Sequence, residues 1–317
     1  MNSKLYVSSS PHLHSGITIS KIMLDVIIAL IPALVASVII FGIRALIVIL
    51  VTVLSCVTSE YISRKLMKRD NTIYDLSAVV TGILLAFNLP VSINLAIAAF
   101  GGIAAIVVVK QMFGGIGQNF VNPALAARII LVASFPTAMS TWSKPFTNTF
   151  SKADIITTAT PLSKAVVGTY DKNYFDLFFG IRPGCMGEIC AAALILGGIY
   201  LLIRKIITPT IPICYIGTVF ILTLILGKDP IFHILSGGLL LGAIFMATDY
   251  TTSPLTFKGK VIFGIGCGIL TVLIRLYGAL PEGVSFSIIL MNILVPHIEK
   301  LTITKPFGKG GKSIGKA

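Results

Sequence analysis

The stretch Val80-Thr81-Gly82-Ile83-Leu84-Leu85-Ala86-Phe87-Asn88-Leu89-Pro90 is apolar enough for a membrane helix, yet it stops on an asparagine, a leucine and a proline. It has a counterpart in Leu240-Leu241-Gly242-Ala243-Ile244-Phe245, followed by Asp249 and Ser253-Pro254. Each is succeeded by a glycine-rich apolar stretch; these end on Lys110 and Arg275 and lead into a glycine turn and another hydrophobic segment. Proline cannot donate to a helix ladder, so Leu89-Pro90 and Asp249–Pro254 are where helices are expected to break. The chain reads as two copies of one unit.

Outward from these stretches, apolar runs of about 17 to 25 residues mark candidate spans. They are Ile22–Phe41, Ile43–Ser63, Ile73–Leu89, Ile93–Met112 and Phe120–Phe135, then Glu188–Arg204, Ile211–Leu226, Ile231–Thr248, Lys260–Tyr277 and Gly283–His297. That is ten spans, five on each side of a loop from about Phe135 to Gly187. A unit with an odd number of spans re-enters the membrane from the opposite side. The expectation is an all-α membrane fold of two inverted five-helix repeats with broken helices, which place polar groups near the bilayer midplane. Residues 1–135 form the first repeat, 136–187 the loop, 188–299 the second repeat and 300–317 a basic tail.

Composition agrees. Of 317 residues 55% are hydrophobic and 12% charged, where soluble domains carry about a quarter charged residues. The net charge of +13 would suggest nucleic acid in a soluble chain. Here the cations sit in short interhelical segments and the tail, which points to topology and anionic lipid, not nucleic acid. With the amino terminus in the cytoplasm, the inside collects Lys4, Lys21, Arg64, Lys65, Lys68, Arg69, Arg204, Lys205, Lys258, Lys260 and the tail lysines. A multi-pass protein of the cytoplasmic membrane follows, with both termini inside and the long loop outside. From the polar start of the chain, no removed signal peptide is expected. Cys185 and Cys190, five residues apart, leave a disulfide or shared iron–sulfur ligation open beside ordinary packing.

Inside the loop stands Asp154-Ile155-Ile156-Thr157-Thr158-Ala159-Thr160-Pro161. Asp and Thr before Pro can form an Asx turn leading into a helix. The pattern also resembles the flavinylation motif D-x-x-(S/T)-x-A-T, whose last threonine hydroxyl takes the phosphate of FMN. By that resemblance Thr160 carries the flavin and Asp154, Thr157 and Ala159 are read by a flavin transferase. Thr158 departs from the usual glycine or alanine.

Further segments carry a resemblance that spans essentially the whole chain. They are Gly180-Ile181-Arg182-Pro183-Gly184 with Gly187-Glu188, Gly114–Arg128 around Asn122-Pro123-Ala124, Met246–Asp249 with Thr252-Ser253-Pro254, and Gly283–Asn292. Together they resemble RnfD, the subunit lettered D in the Rnf complex. That family is similar to the subunit lettered B in the sodium-pumping NADH:quinone oxidoreductase. The resemblance implies a membrane subunit of an ion-translocating ferredoxin:NAD oxidoreductase, not catalytic alone, with partner subunits lettered A, B, C, E and G. It implies covalent FMN and a non-covalent riboflavin, relaying electrons between ferredoxin and NAD. No Walker motif, dinucleotide fingerprint or four-cysteine cluster set occurs, so NAD and ferredoxin are expected on other subunits.

No catalytic residue is assigned. Asn122 and Arg128 are candidates for the flavin, with a structural salt bridge the alternative for Arg128. Lys152, Lys164 and Arg182 are candidates to balance the phosphate. Charge inside a bilayer usually faces a cavity or partner, so Asp249 is the candidate ligand of the coupling cation, Na⁺ or H⁺, or else a helix cap. Glu282 and Asp75 come next, while Asp25, Glu188 and Lys110 are expected to be interfacial or paired. An inverted-repeat solute channel or transporter without a redox cofactor is the competing reading, and it leaves the Asp154–Thr160 pattern unused.

Overall fold

A computed structural model describes residues 18–146, 162, 173–278 and 283–303. Their regular structure is helical. α1 (Ile19–Phe41), α2 (Ile43–Leu66), α3 (Ser77–Phe87), α4 (Leu95–Ile103) and α5 (Pro123–Ser134) make the first half. Two short helices, α6 (Pro136–Met139) and α7 (Tyr174–Phe179), belong to the central segment. The second half comprises α8 (Ala191–Ile203), α9 (Thr210–Ile225), α10 (Pro230–Leu235), α11 (Leu239–Leu241), α12 (Phe257–Tyr277) and α13 (Val284–Thr302). α4 continues to Gln111, and α11 to Met246, in widened π turns.

Four helices, α1, α2, α12 and α13, are long and apolar enough to cross a membrane. The 23 residues of α1 reach about 35 Å at 1.5 Å per residue, beyond a hydrocarbon core of about 30 Å. The 11 residues of α3 reach only about 16 Å. Of the shorter apolar helices, α3 is buried at every position but Val79, whereas α9 leaves Ile213, Phe220, Ile221, Leu224 and Ile225 exposed. Side chains set several helix starts. Asn122 accepts from the N–H groups of Ala124 and Leu125 with Pro123 at the first position, and Asp229 before Pro230 repeats the device.

Both expected breaks are present, at Asn88–Asn94 and at Ala247–Thr256. Two expected spans are also divided further. Ile73–Leu89 begins as a separate 3₁₀ turn, Ile73–Asp75, and Leu76 takes a left-handed conformation (φ 58°) before α3 starts. Ile231–Thr248 is cut at Ser236-Gly237-Gly238, where Gly237 has φ +67°; that sign suits glycine, and the missing side chain lets the Arg275 guanidinium lie against the backbone. All five cysteines are free thiols.

Glycines set the closest helix contacts. A Cβ on Gly102 of α4 would meet Ser55 Oγ of α2 at 2.1 Å, and one on Gly268 of α12 would meet Thr218 Cβ of α9 at 2.6 Å. An equally tight fit involves Gly187, whose N–H donates to the Phe87 carbonyl (2.9 Å) while the Met186 N–H donates to that of Leu89 (3.2 Å). The 185–187 backbone thus satisfies carbonyls at the end of α3. A Cβ at Gly187 would lie 2.1 Å from Phe87 Cβ, whereas at Gly184 the nearest atom is 3.4 Å away. Gly187→Ala is therefore expected to destabilise the protein by about 1–3 kcal/mol, with Gly184→Ala close to neutral; thermal unfolding in detergent compares the two.

Candidate functional site

Polar side chains concentrate at two places, one toward each end of the bundle. The first surrounds a cavity of about 290 Å³ between the opening turns of α1 and α3, the π stretch after α4, the end of α8 and the 245–251 segment. Its polar lining includes Ser77, Thr81, Lys110, Asn119, Asn122 and Asp249. Lys110, on the widened turns, contacts both Glu60 oxygens at 2.9 Å and the Ser77 hydroxyl at 2.7 Å. Glu60 also accepts from Gln111 Nε2 (3.0 Å) and from Thr72 Oγ1 (3.1 Å). Lys110 and Glu60 are 2% and 1% exposed, so this is a fully enclosed ion pair with supporting donors.

Asp249 occupies the second break. Its Oδ1 accepts from the Thr251 N–H (3.5 Å) and its Oδ2 from the Thr251 and Thr252 hydroxyls (3.1 and 3.2 Å). This is an Asx turn reinforced by two hydroxyls. Asn122 reaches the same break by donating from Nδ2 to the Met246 carbonyl at 3.3 Å. Asn292 completes it in the amide orientation that matches all its neighbours: Oδ1 accepts from the Asn122 N–H (3.2 Å) and Nδ2 donates to the Thr252 carbonyl (3.1 Å). One end of α5 is thereby tied to the break of the other half.

The second concentration lies at the seam between the halves, where three buried arginines meet. Arg128 donates from Nη1 to Asn88 Oδ1 (2.6 Å) and Ser285 Oγ (3.1 Å) and from Nη2 to Cys185 Sγ (3.5 Å). Arg182 donates to the carbonyls of Glu188 and Leu235. Arg275 donates to the carbonyls of His233 (2.6 Å) and Ser236 (3.0 Å). Glu188 is buried beside them, its Oε1 accepting from the Cys185 N–H at 3.2 Å. Leu162, the one described residue between Phe146 and Asn173, packs here with Leu177, Phe232 and Leu235. The backbone at Gly237 is its neighbour: a Cβ there would be 3.6 Å from Leu162 and 2.9 Å from Arg275.

The structure brings Asn122 and Asp249 together on the cavity wall and sets Arg128 at the seam. Asp75 is half-buried in the 3₁₀ turn and does not line the cavity. Asp154, Thr157, Ala159, Thr160, Lys152, Lys164 and Glu282 lie outside the described residues. Lys110 is paired, as expected, and Asp25 is bound by Arg204 (3.2 Å) and the Tyr200 hydroxyl (2.8 Å). Arg182, expected to balance a phosphate, bonds backbone carbonyls. Sequence reasoning missed Glu60, Asn88 and Ser285 as partners. A buried lysine demands a carboxylate, so Glu60 in an apolar stretch was the available signal. Among the described residues no three His, Cys, Asp or Glu side chains converge as metal ligands.

A family model described as "NQR2, RnfD, RnfE family" matches residues 6–308. The chain is 49% identical over 309 residues to the subunit lettered D in the Na⁺-translocating ferredoxin:NAD⁺ oxidoreductase complex of Acetobacterium woodii, covering 96% of this chain and 95% of that one. It is 44% identical to the subunit of the same letter in the proton-translocating ferredoxin:NAD⁺ oxidoreductase complex of Clostridium ljungdahlii, with 95% and 96% covered. It is 36% identical to the corresponding subunit in the ion-translocating oxidoreductase complex of Stutzerimonas stutzeri, with 93% and 94% covered.

The ion pair beside the cavity yields a prediction. Removing one member of a buried pair strands the other charge, at a cost of about 3–5 kcal/mol. Lys110→Met is expected to lower the unfolding midpoint sharply, and Lys110→Met with Glu60→Leu to recover most of the loss. Equal midpoints for Lys110→Met and the parent would show the pair to be energetically idle.

Proposed function

The chain belongs to the NQR2, RnfD, RnfE family, and from that membership we propose that it is the membrane subunit of a redox-driven ion pump of the ferredoxin:NAD oxidoreductase type, carrying covalent FMN on Thr160. The observation that carries the assignment is the match over nearly the full chain to the corresponding subunits of such complexes. A solute channel would leave both the Asp154–Thr160 pattern and the kinship without a role. Partners are the other subunits of the complex, lettered A, B, C, E and G, and a flavin transferase. The chain is multi-pass in the cell membrane with both termini in the cytoplasm; the distribution of Lys and Arg supports this orientation.

The described residues around Leu162 suit the flavin. The flavin motif ends two residues before Leu162 in sequence, and Leu162 packs at the arginine seam. The guanidinium groups of Arg128, Arg182 and Arg275 are donors of the kind that suit a phosphate ester. FMN supplies one-electron chemistry that no side chain here supplies. Arg128 orients on Asn88 and Ser285, while Arg182 and Arg275 hold the backbone that walls the seam. For the non-covalent riboflavin, the cavity offers apolar walls from Val80, Leu84 and Phe245 with a few polar groups, the usual make-up of a cofactor pocket.

The inverted repeat draws support from equivalent packing. In each half the glycine-rich fourth segment lies against the second, α4 on α2 and α12 on α9, and the two breaks lie toward opposite ends of the bundle. Asp249 is the proposed cation ligand. Its hydroxyl partners donate to it now, but a rotated hydroxyl offers a lone pair, and a hard cation prefers such oxygens.

Two tests follow. Thr160→Ala is expected to abolish flavin fluorescence that survives denaturing electrophoresis, and persistence of the signal would sink the attachment site. Asp249→Asn is expected to leave flavin attached and the complex assembled while lowering ion-coupled electron transfer in reconstituted vesicles; normal pumping would leave Asp249 as only the stabiliser of its turn.

A further inference from the structure

The lining of the cavity is graded from one end to the other. Lys110, Asn122 and Ala124 are buried, whereas Ile19 and Tyr250 are about half exposed. Gly117 belongs to the exposed rim too, and a Cβ there would meet no atom within 4 Å. The cavity therefore has a mouth, bounded by the opening turn of α1, the loop at Gly117, the 204–209 connection between α8 and α9, and the 249–251 turn. A side-chain bond crosses that mouth: the Tyr250 hydroxyl donates to the Ile206 carbonyl, and Tyr250, Ile206 and Ile207 all line the cavity. The carbonyl is available because α8 closes just before it. Lys205 takes a left-handed conformation (φ 57°), and the N–H groups of Lys205 and Ile206 donate back to Leu202 and Leu201 at 3.0 Å, which leaves the Ile206 carbonyl beyond the helix ladder.

We propose that Tyr250 controls entry to this cavity: its hydroxyl latches the turn that carries Asp249 to the α8–α9 connection across the mouth. Tyr250 sits inside that turn, between Asp249 and Thr251, and the turn is held together by the Thr251 and Thr252 hydroxyls on Asp249 Oδ2. It moves as one piece, so the latch also fixes where the Asp249 carboxylate stands against the cavity. Tyr250 is thus a positioning residue, acting through the turn. A single neutral hydrogen bond suits a latch, because its net worth is small enough to be lost in local openings. The other use of an exposed tyrosine in a membrane protein is to seat its ring among lipid headgroups. That role makes no use of Ile206, and the hydroxyl would face the headgroups instead of a carbonyl. The latch holds for either occupant of the cavity, flavin or ion, and does not depend on the cofactor reading.

The test reads access directly, in the assembled complex in detergent. Thr81, on the cavity wall, is replaced by cysteine, and its modification by 2-hydroxyethyl methanethiosulfonate, a small neutral reagent, is timed by mass spectrometry of the peptide that contains it, apart from the five native thiols. Tyr250→Phe keeps the ring and removes the hydroxyl. It is expected to raise the modification rate about two- to tenfold, the change in open population that loss of one net hydrogen bond produces. Tyr250→Ala, which also clears the ring from the mouth, is expected to exceed it. Lys260→Met removes a second tie on the same connection, the bond from Lys260 Nζ to Thr208 Oγ1 (3.3 Å); Thr208 does not line the cavity, and the parental rate is expected. A parental rate in Tyr250→Phe would overturn the inference and leave Tyr250 as a headgroup anchor. Equal acceleration in Tyr250→Phe and Lys260→Met would overturn it as well, since any loosening of the connection would then open the cavity. No flavin signal is read, so neither result bears on Thr160.

Discussion

A helix that stops inside hydrocarbon leaves carbonyls and N–H groups with no water to bond, and each stranded group costs several kcal/mol. This chain stops helices inside the bundle at three places, and its buried polar side chains are best understood as answers to that constraint. Arg44 donates to the carbonyls of Val91, Ser92 and Ile93 beyond α3. Arg182 and Arg275 take the carbonyls around the end of α10. Asn122 and Asn292 bind both edges of the third break. Arginine recurs because its planar fork presents five donors and no acceptor, which is what a cluster of carbonyl ends requires.

The answers are not local to one half. Asn122 starts α5 and bonds the end of the π stretch after α11; Arg128 in α5 bonds Ser285 in α13; the 185–187 backbone closes the end of α3. Residues of the other half and of the central segment therefore join Arg44 and Arg275, which act within their own halves, in satisfying the breaks. A shift at the seam changes hydrogen bonds at the breaks, which is the kind of contiguous two-sided contact through which a redox event and an ion site can be coupled. Glycine permits the close approach: α4 meets α2 and α12 meets α9 across Gly102 and Gly268.

Much of this was legible. The long helices declared themselves by apolar length, and Leu89-Pro90 and Asp249–Pro254 broke as their residues require. The cut at Ser236-Gly237-Gly238 was hidden, since a lone pair of glycines in an apolar run also suits helix packing. Only the proximity of Arg275, distant in sequence, gives Gly237 its reason. Lys110 could be seen to need a partner, but which of twelve acidic residues it would find depends on tertiary packing of α2 against the π stretch. Asn88 and Ser285, which Arg128 bonds, are neutral, and neutral partners leave no charge pattern in a sequence.

That difference in partners separates the two polar centres electrostatically. At the cavity the charge of Lys110 is met at 2.9 Å by Glu60, so the pair projects little net field onto the cavity. At the seam, Asn88, Ser285 and backbone carbonyls orient Arg128, Arg182 and Arg275. Among the described residues Glu188 is the carboxylate beside them. Distance alone does not keep the two centres apart, since unscreened fields extend far in a low dielectric. What keeps them apart is that the lysine is cancelled by a carboxylate, while Asn88, Ser285 and backbone carbonyls orient the arginines among the described residues.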